Sequence, residues 1–349
     1  MAHLQSNEFE VVAQIKNFRA LIANPNCSVI GSHGSFVVRH SFPFNQPESL
    51  VHLPVNWRRS LGRSSNLAQR LLRLDLYRMV RTPAGTFIAA TAEGVVRLSE
   101  GENHSPGVFN EFQGRRPISL TVDAQGRVYF GEYFSNKERT AVKIFMSEDD
   151  GRSWSECYQF ADGSIRHVHG LVYDPWLDKI WTMTGDYGDE AILGLASPGF
   201  SEFEIVLQGN QQTRICDAIC RPDAVYFCTD TPLEQNYAYQ LKRGSKSPAR
   251  LSKIQNSVLF MGQACGGMFA STIVEPSETN TSNKVHIWHS ADGTTWKEIM
   301  QAPRDRWSLR FFGYPTASFA TSNPDCPFGF INFRGARGLD GDCLVIKKR

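Results

Sequence analysis

From residue 76 onward the chain alternates between short runs of β-branched, aromatic and small apolar residues and short polar turns. Six stretches repeat one plan, a β-rich run, a turn and a second β-rich run: 76–98, 115–134, 166–188, 213–232, 258–277 and 309–335. The turns fall at 83–85, 124–126, 174–178, 222–223, 266–267 and 323–326. Each carries Gly, Pro, Asn or Asp, the residues that tight turns favour. Two further β-rich runs follow the paired ones, most plainly at 140–160 and 284–301. Residues 1–75 are less regular: 27–40 reads as two strands, and 56–73, basic and rich in Ser, reads as a loop or short helix.

Repeat starts lie about 40 to 55 residues apart. That is the length of one four-stranded propeller blade. The pattern predicts an all-β fold, a β-propeller of four-stranded antiparallel blades around a central channel, with six blades expected and seven the alternative. The chain, 1–349, is read as one propeller domain, in which 1–74 completes or closes the ring and 75–349 supplies the repeated blades. Closure is required because an open ring leaves strand edges unpaired.

Composition narrows the partners. A formal net charge of +2, with scattered basic residues, gives no field for nucleic acid. No apolar run approaches the length of a membrane span. The first residues show no basic segment followed by an apolar one, so a cytoplasmic location is expected. The eight cysteines lack a CxxC and are read as reduced, buried thiols.

Two turn motifs stand out. Residues 147–154 read SEDDGRSW and 290–296 read SADGTTW, each between two β-rich runs. In such a turn Asp accepts backbone N–H bonds, Gly takes the positive φ, and Trp covers the blade edge. A weaker relic lies at 197–203. These motifs resemble the Asp boxes, or BNR repeats, of the sialidase-like propellers. In that family the boxes are structural, so the resemblance gives Asp149 and Asp292 no catalytic role and places the chemistry on the opposite face.

At that face the internal alignment puts Glu93, Glu132, Asp186, Asp230, Glu275 and Arg334 after the second strands. It puts Arg78, Arg115 or Arg116, Arg166, Arg214 and Arg310 before the first strands. Carboxylates can act as general acid, base or nucleophile on glycosides. Arginines grip carboxylate or sulfate. Glu132, Asp186, Glu190, Asp230, Glu275 and Tyr314 are therefore the candidate catalytic residues. Arg78, Arg116, His167, His169, Arg214, Asn236, Arg310 and Arg334 are the candidate binding residues. His167 and His169 alternate along a strand and share a face, where a divalent metal is an option although no cofactor is required.

The sialidase resemblance implies an arginine triad and a tyrosine nucleophile activated by a glutamate. Tyr77-Arg78-Met79 stands where that family has Arg-Ile-Pro, without the proline. Arg214 and Arg310 would complete the triad. Tyr314 would be the nucleophile, with Glu275 or Glu132 as partner, and only Glu93 lies near the expected acid. The expected function is a glycoside hydrolase acting on an anionic carbohydrate. The alternatives are a polysaccharide lyase using His, Tyr and Arg with a metal, or a propeller that binds glycan or protein without chemistry.

Overall fold

The computed structural model describes residues 3–53, 62, 65–100, 107–114, 116–322 and 325–349. The fold is all-β, a seven-bladed propeller, with seven antiparallel sheets in place of the six expected. Blade 1 is Arg19–Ala23, Ser28–His33, Phe36–Ser41 and Pro47–His52. Blade 2 is Met79–Arg81, Phe87–Thr91, Gly94–Leu98 and Val108–Phe109. Blade 3 is Thr121–Val122, Val128–Gly131, Val142–Ser147 and Ser155–Phe160. Blade 4 is Val168–Asp174, Lys179–Thr184, Ile192–Ala196 and Phe203–Gln208. Blade 5 is Ile215–Cys220, Ala224–Thr229, Asn236–Lys242 and Ala249–Ile254. Blade 6 is Val258–Ala264, Gly267–Thr272, Lys284–Ser290 and Lys297–Pro303, with His3–Leu4 added at its edge. Blade 7 is Thr316–Phe319, Phe328–Arg334 and Cys343–Lys348, and it takes its fourth strand, Phe9–Ile15, from the N-terminal region.

The N-terminal region therefore supplies both a whole blade and a closing strand. Phe9–Ile15 runs antiparallel to Cys343–Lys348, from Phe9 opposite Lys348 to Ile15 opposite Cys343. Asp342 clasps it, accepting from Gln14 Nε2 at 2.7 Å and from the Asn17 backbone at 3.0 Å. Of the segment 56–73, residues 56–61, 63 and 64 lie outside the described residues, and Asn66–Leu71 is a short helix capped by Ser65.

The sequence dictates which strand sits deepest. Second strands such as FIAAT, AVYFCT and GMFAST carry no charge and are buried along their whole length. Fourth strands such as SECYQF and ARLSKI place polar side chains in solvent. By its internal contacts the chain divides into two compact units: Met1–Asp75, Thr231–Gln240 and Arg250–Arg349 form one, Leu76–Asp230 and Leu241–Ala249 the other. The first unit has a core around Phe269, Ile287, Ile331 and Ile346. The second has one around Tyr129, Ile144, Leu171 and Ile180.

The two Asp-centred turns join the third and fourth strands of blades 3 and 6. Asp149 accepts from the Ser153 backbone at 2.8 Å and its hydroxyl at 2.7 Å. Asp292 accepts from the backbone of Thr294 at 2.8 Å and Thr295 at 2.9 Å. Gly151 and Gly293 take φ of 78° and 83°. Within an antiparallel blade these turns lie at the end opposite the loop joining strands two and three. Six of the eight cysteines are buried and none is disulfide-bonded. Among the described residues no helix is long and apolar enough to cross a membrane.

Candidate functional site

The loops between second and third strands carry Glu132, Asp186 and Asp230, and the segments entering the first strands carry Arg78, Arg166 and Arg214. Antiparallel pairing puts these two sets at one end of each blade: Gly185 N–H bonds His167 O, and Asp230 N–H bonds Arg214 O. In the second compact unit Arg166 and Arg214 meet around Asp186.

Asp186 is 5 % exposed. Arg166 Nη1 lies 2.8 Å from its Oδ2, Arg214 Nη2 3.4 Å from its Oδ1, and His169 Nε2 3.2 Å from Oδ1. His167 Nε2 is 3.7 Å from Oδ2. Burial opposes the charge on Asp186. The two imidazoles and the Arg214 guanidinium outweigh it and hold the carboxyl far below the ordinary carboxylate range.

The histidines are fixed by their outer nitrogens. His167 Nδ1 is 2.9 Å from Phe134 O, and His169 Nδ1 is 3.3 Å from Ile215 O. A carbonyl only accepts, so each Nδ1 carries a proton, and the Nε2 atoms are the ones turned to Asp186. Those Nε2 atoms lie 2.9 Å apart. The two Nε2 atoms and the Asp186 carboxylate thus converge on one point, an arrangement suited to a shared proton or a metal ion. The ligand atoms of His167, His169 and Asp186 lie within 4.8 Å of one another, so the three fit a divalent metal. Burial, His167 and Arg214 lower the His169 pKa against the opposing pull of Asp186.

Around this centre stand further polar groups. The Tyr133 ring lies 4.3 Å from that of His167. Burial pushes its phenol well above the ordinary tyrosine value, and Cys216, Asp186 and Asp230 add to the rise. Asp230 accepts from the Cys216 thiol at 3.2 Å and faces Arg214 Nε at 3.4 Å. Arg78 pairs with Asp217. Arg166 Nε is buried with no hydrogen-bond partner among the described residues. Tyr187, 46 % exposed, lies under the Arg214 guanidinium.

Of the residues singled out from sequence, Asp186, Asp230, His167, His169 and Arg214 come together. Glu132 turns away: its two oxygens accept the backbone N–H of Gln113 at 2.7 Å and Lys143 at 2.9 Å, a structural role. Glu190 pairs with Arg139 at 2.6 Å. Arg116 stacks over Tyr77, and Arg115 lies outside the described residues. In the other compact unit Asn236 is buried and binds Thr231 and Asn280. Arg334 pairs with Asp75 at 2.7 Å. Arg310 sits on the helical turn Leu309–Phe312, and Tyr314 precedes the strand Thr316–Phe319 instead of lying within it. Burial raises the Tyr314 pKa, and Glu275 raises it further.

Sequence reasoning missed Tyr133 as a member of the cluster and Asp217 as the partner of Arg78. Asp217 was within reach, since Arg166-His-Val-His169 aligns with Arg214-Ile-Cys-Asp217. A cleft of about 550 Å³, counting its open mouth, lies in the first unit among Arg70, Asp75, Arg334 and Asp340. Its charges answer one another, Arg70 with Asp305 and Asp340, Arg334 with Asp75. The chemistry therefore points to the Asp186 cluster, not to this cleft.

No family model matches the chain, and a search of curated proteins finds no match. Solved structures do match, and they are propellers. A catalytically inactive virginiamycin B lyase from Staphylococcus aureus, solved with quinupristin, aligns at TM-score 0.62 and 11% identity over 100% of this chain and 99% of its own. An oligogalacturonate lyase from Vibrio parahaemolyticus aligns at TM-score 0.62 and 7% identity over 100% and 96%. The WD40 propeller domain of Doa1 aligns at TM-score 0.61 and 10% identity over 99% and 98%. At these identities the likeness establishes a propeller fold, without the sialidase-like affiliation expected from the turn motifs.

Proposed function

We propose that this chain is a lyase that removes a proton from an anionic saccharide at the His167–His169 pair. One observation carries the reading: two imidazole Nε2 atoms and the Asp186 carboxylate converge beside guanidinium groups. In such an elimination an Nε2 lone pair takes the proton α to a substrate carboxylate. The electron pair left behind forms a C=C bond as the β C–O bond breaks. Tyr133, held protonated by burial, gives its proton to the departing oxygen. The Arg166 guanidinium, a quarter exposed, holds the substrate carboxylate, and Tyr187 offers a sugar an exposed ring.

Elimination is favoured over glycoside hydrolysis because the carboxylates nearest the histidines are already engaged, Asp186 by Arg166 and His169, and Asp230 by the Cys216 thiol and Arg214. Asp186 is ionised, and Glu132 is committed to backbone N–H groups. The two lyases among the fold neighbours are consistent with the reading. A second reading rests on the same three acceptors: His167, His169 and Asp186 hold a divalent metal, which when bound would neutralise the substrate carboxylate.

The test incubates the protein with uronate oligosaccharides and follows the ultraviolet absorbance of the unsaturated product, with and without chelator. His169→Ala and Tyr133→Phe are expected to lower turnover about 100-fold or more. Loss of activity with chelator, and its return with added metal, selects the second reading. Saccharide binding without product in any condition overturns both and leaves a binding propeller.

A further inference from the structure

Blade 6 carries a second constellation that the Asp186 cluster does not use. Ser282 Oγ lies 2.6 Å from His286 Nε2, and His286 Nδ1 lies 3.0 Å from Glu298 Oε1. The proton positions follow from the partners. Glu298 as a carboxylate only accepts, so Nδ1 carries the imidazole proton and Nε2 presents a lone pair. The hydroxyl of Ser282 then donates to that lone pair. The backbone N–H of Lys284, 3.3 Å away, donates to Ser282 Oγ, which leaves the serine proton directed at the imidazole. A nucleophile, a base and a carboxylate that fixes the tautomer of the base are the three roles of a Ser–His–acid triad.

The elements that hold these groups are rigid. His286 and Glu298 sit on adjacent strands of the blade, Lys284–Ser290 and Lys297–Pro303. The pairing jumps from Ile287 opposite Met300 to Trp288 opposite Glu298. That irregularity shifts Glu298 out of simple alternation, and its carboxylate reaches the imidazole. His286 is 4 % exposed, and its backbone N–H is held by Thr272 Oγ1 at 2.9 Å. Ser282 lies on the incoming loop, half-buried between exposed Thr281 and Asn283. Asn256, buried and at φ 64°, pins that loop from both sides. It donates to Ser282 O at 2.9 Å and accepts from Ser282 N–H at 3.3 Å. The base is thus sheltered, while the nucleophile is half-buried on a loop flanked by exposed residues. Lys284 alternates with His286 along the strand and shares its face. Its ammonium donates to Gln301 Oε1 at 2.8 Å and keeps further N–H donors for a developing oxyanion.

We propose that Ser282, His286 and Glu298 form a nucleophilic site at which Ser282 accepts an acyl group from a small carboxylic ester. In the acylation the Ser282 Oγ–C bond forms as the ester C–O bond breaks. The hydroxyl proton passes to His286 Nε2 and then to the departing alcohol. Water repeats the sequence to release the acid. The inference is independent of the proposed elimination, because it uses a separate set of residues and a separate reaction.

The experiment treats the full chain with a fluorophosphonate, in which serine displaces fluoride and becomes phosphonylated, and maps the adduct by peptide mass spectrometry. The expected result is one adduct on Ser282 and hydrolysis of p-nitrophenyl acetate. Ser282→Ala abolishes both, and Glu298→Gln slows them about 100-fold or more, the range of general-base assistance. His286→Gln reads the base directly, with circular dichroism reporting whether it folds. Glu298→Gln, at a partly exposed position, keeps the test decisive if His286→Gln does not fold. Absence of an adduct on Ser282 in the folded protein overturns the proposal. So does labelling of folded Glu298→Gln at the rate of the unaltered chain.

Discussion

Asp292 shows how much a single turn residue can organise. It gathers two backbone N–H groups and the Thr294 hydroxyl at 2.8 Å. The Thr295 N–H is the foremost of the groups that stabilise its charge and lower its pKa. A carboxyl whose folded pKa is depressed contributes stability that is full above its ordinary value, about 4, and is lost as pH falls below it. Asp292→Ala is expected to cost about 1 kcal/mol, the usual worth of such hydrogen bonds at an exposed turn. Chemical denaturation at pH 7 measures it, and the difference from the unaltered chain should shrink at pH 3. Side-chain direction at this scale was only partly legible. The alignment placed Glu132 and Asp186 at equivalent strand ends, but nothing in the residue types says that Glu132 folds back onto backbone N–H groups while Asp186 faces two histidines.

At the scale of elements, β-rich runs separated by turn residues located the first two strands of six blades. Blade 1 escaped as a blade because its second strand ends at His33, without the acidic residue that marks five of the six repeats. The fourth strand of blade 7 escaped for a different reason: its partner is remote in sequence, and a local pattern holds no record of it. That strand has a titratable neighbour. His289 lies between the rings of Phe9 and Phe269, at centroid distances of 4.8 and 4.9 Å. Burial, with Lys348 and Lys297, lowers its pKa to about 4 against the opposing charge of Glu8. The folded protein therefore resists protonation that the unfolded chain accepts. Stability is full above the ordinary imidazole value, about 6.5, and declines as pH falls towards about 4. Urea denaturation at pH 7 and pH 4.5 should show a steeper loss for the unaltered chain than for His289→Leu. Equal losses would remove His289 from the account.

For the whole molecule, the pairing of Phe9–Ile15 with Cys343–Lys348 covers a strand edge that would otherwise stand open. Removal of residues 1–17 takes away that strand and the Asp342 clasp. The truncated chain is expected to aggregate on expression or to melt well below the intact protein, as read by size exclusion and calorimetry. A monomer of unchanged melting temperature would show that the closing strand is dispensable. The same pairing sets an order of events during synthesis. Gln14 and Asp342, which bond across the clasp, are 328 positions apart. At ribosomal rates of about 5–20 residues per second, roughly 15 to 65 s pass between their appearances. Throughout that interval the early strand has no native partner. A chaperone that shelters extended segments near the ribosome exit has a defined client in those residues, and a pause late in translation would lengthen its task.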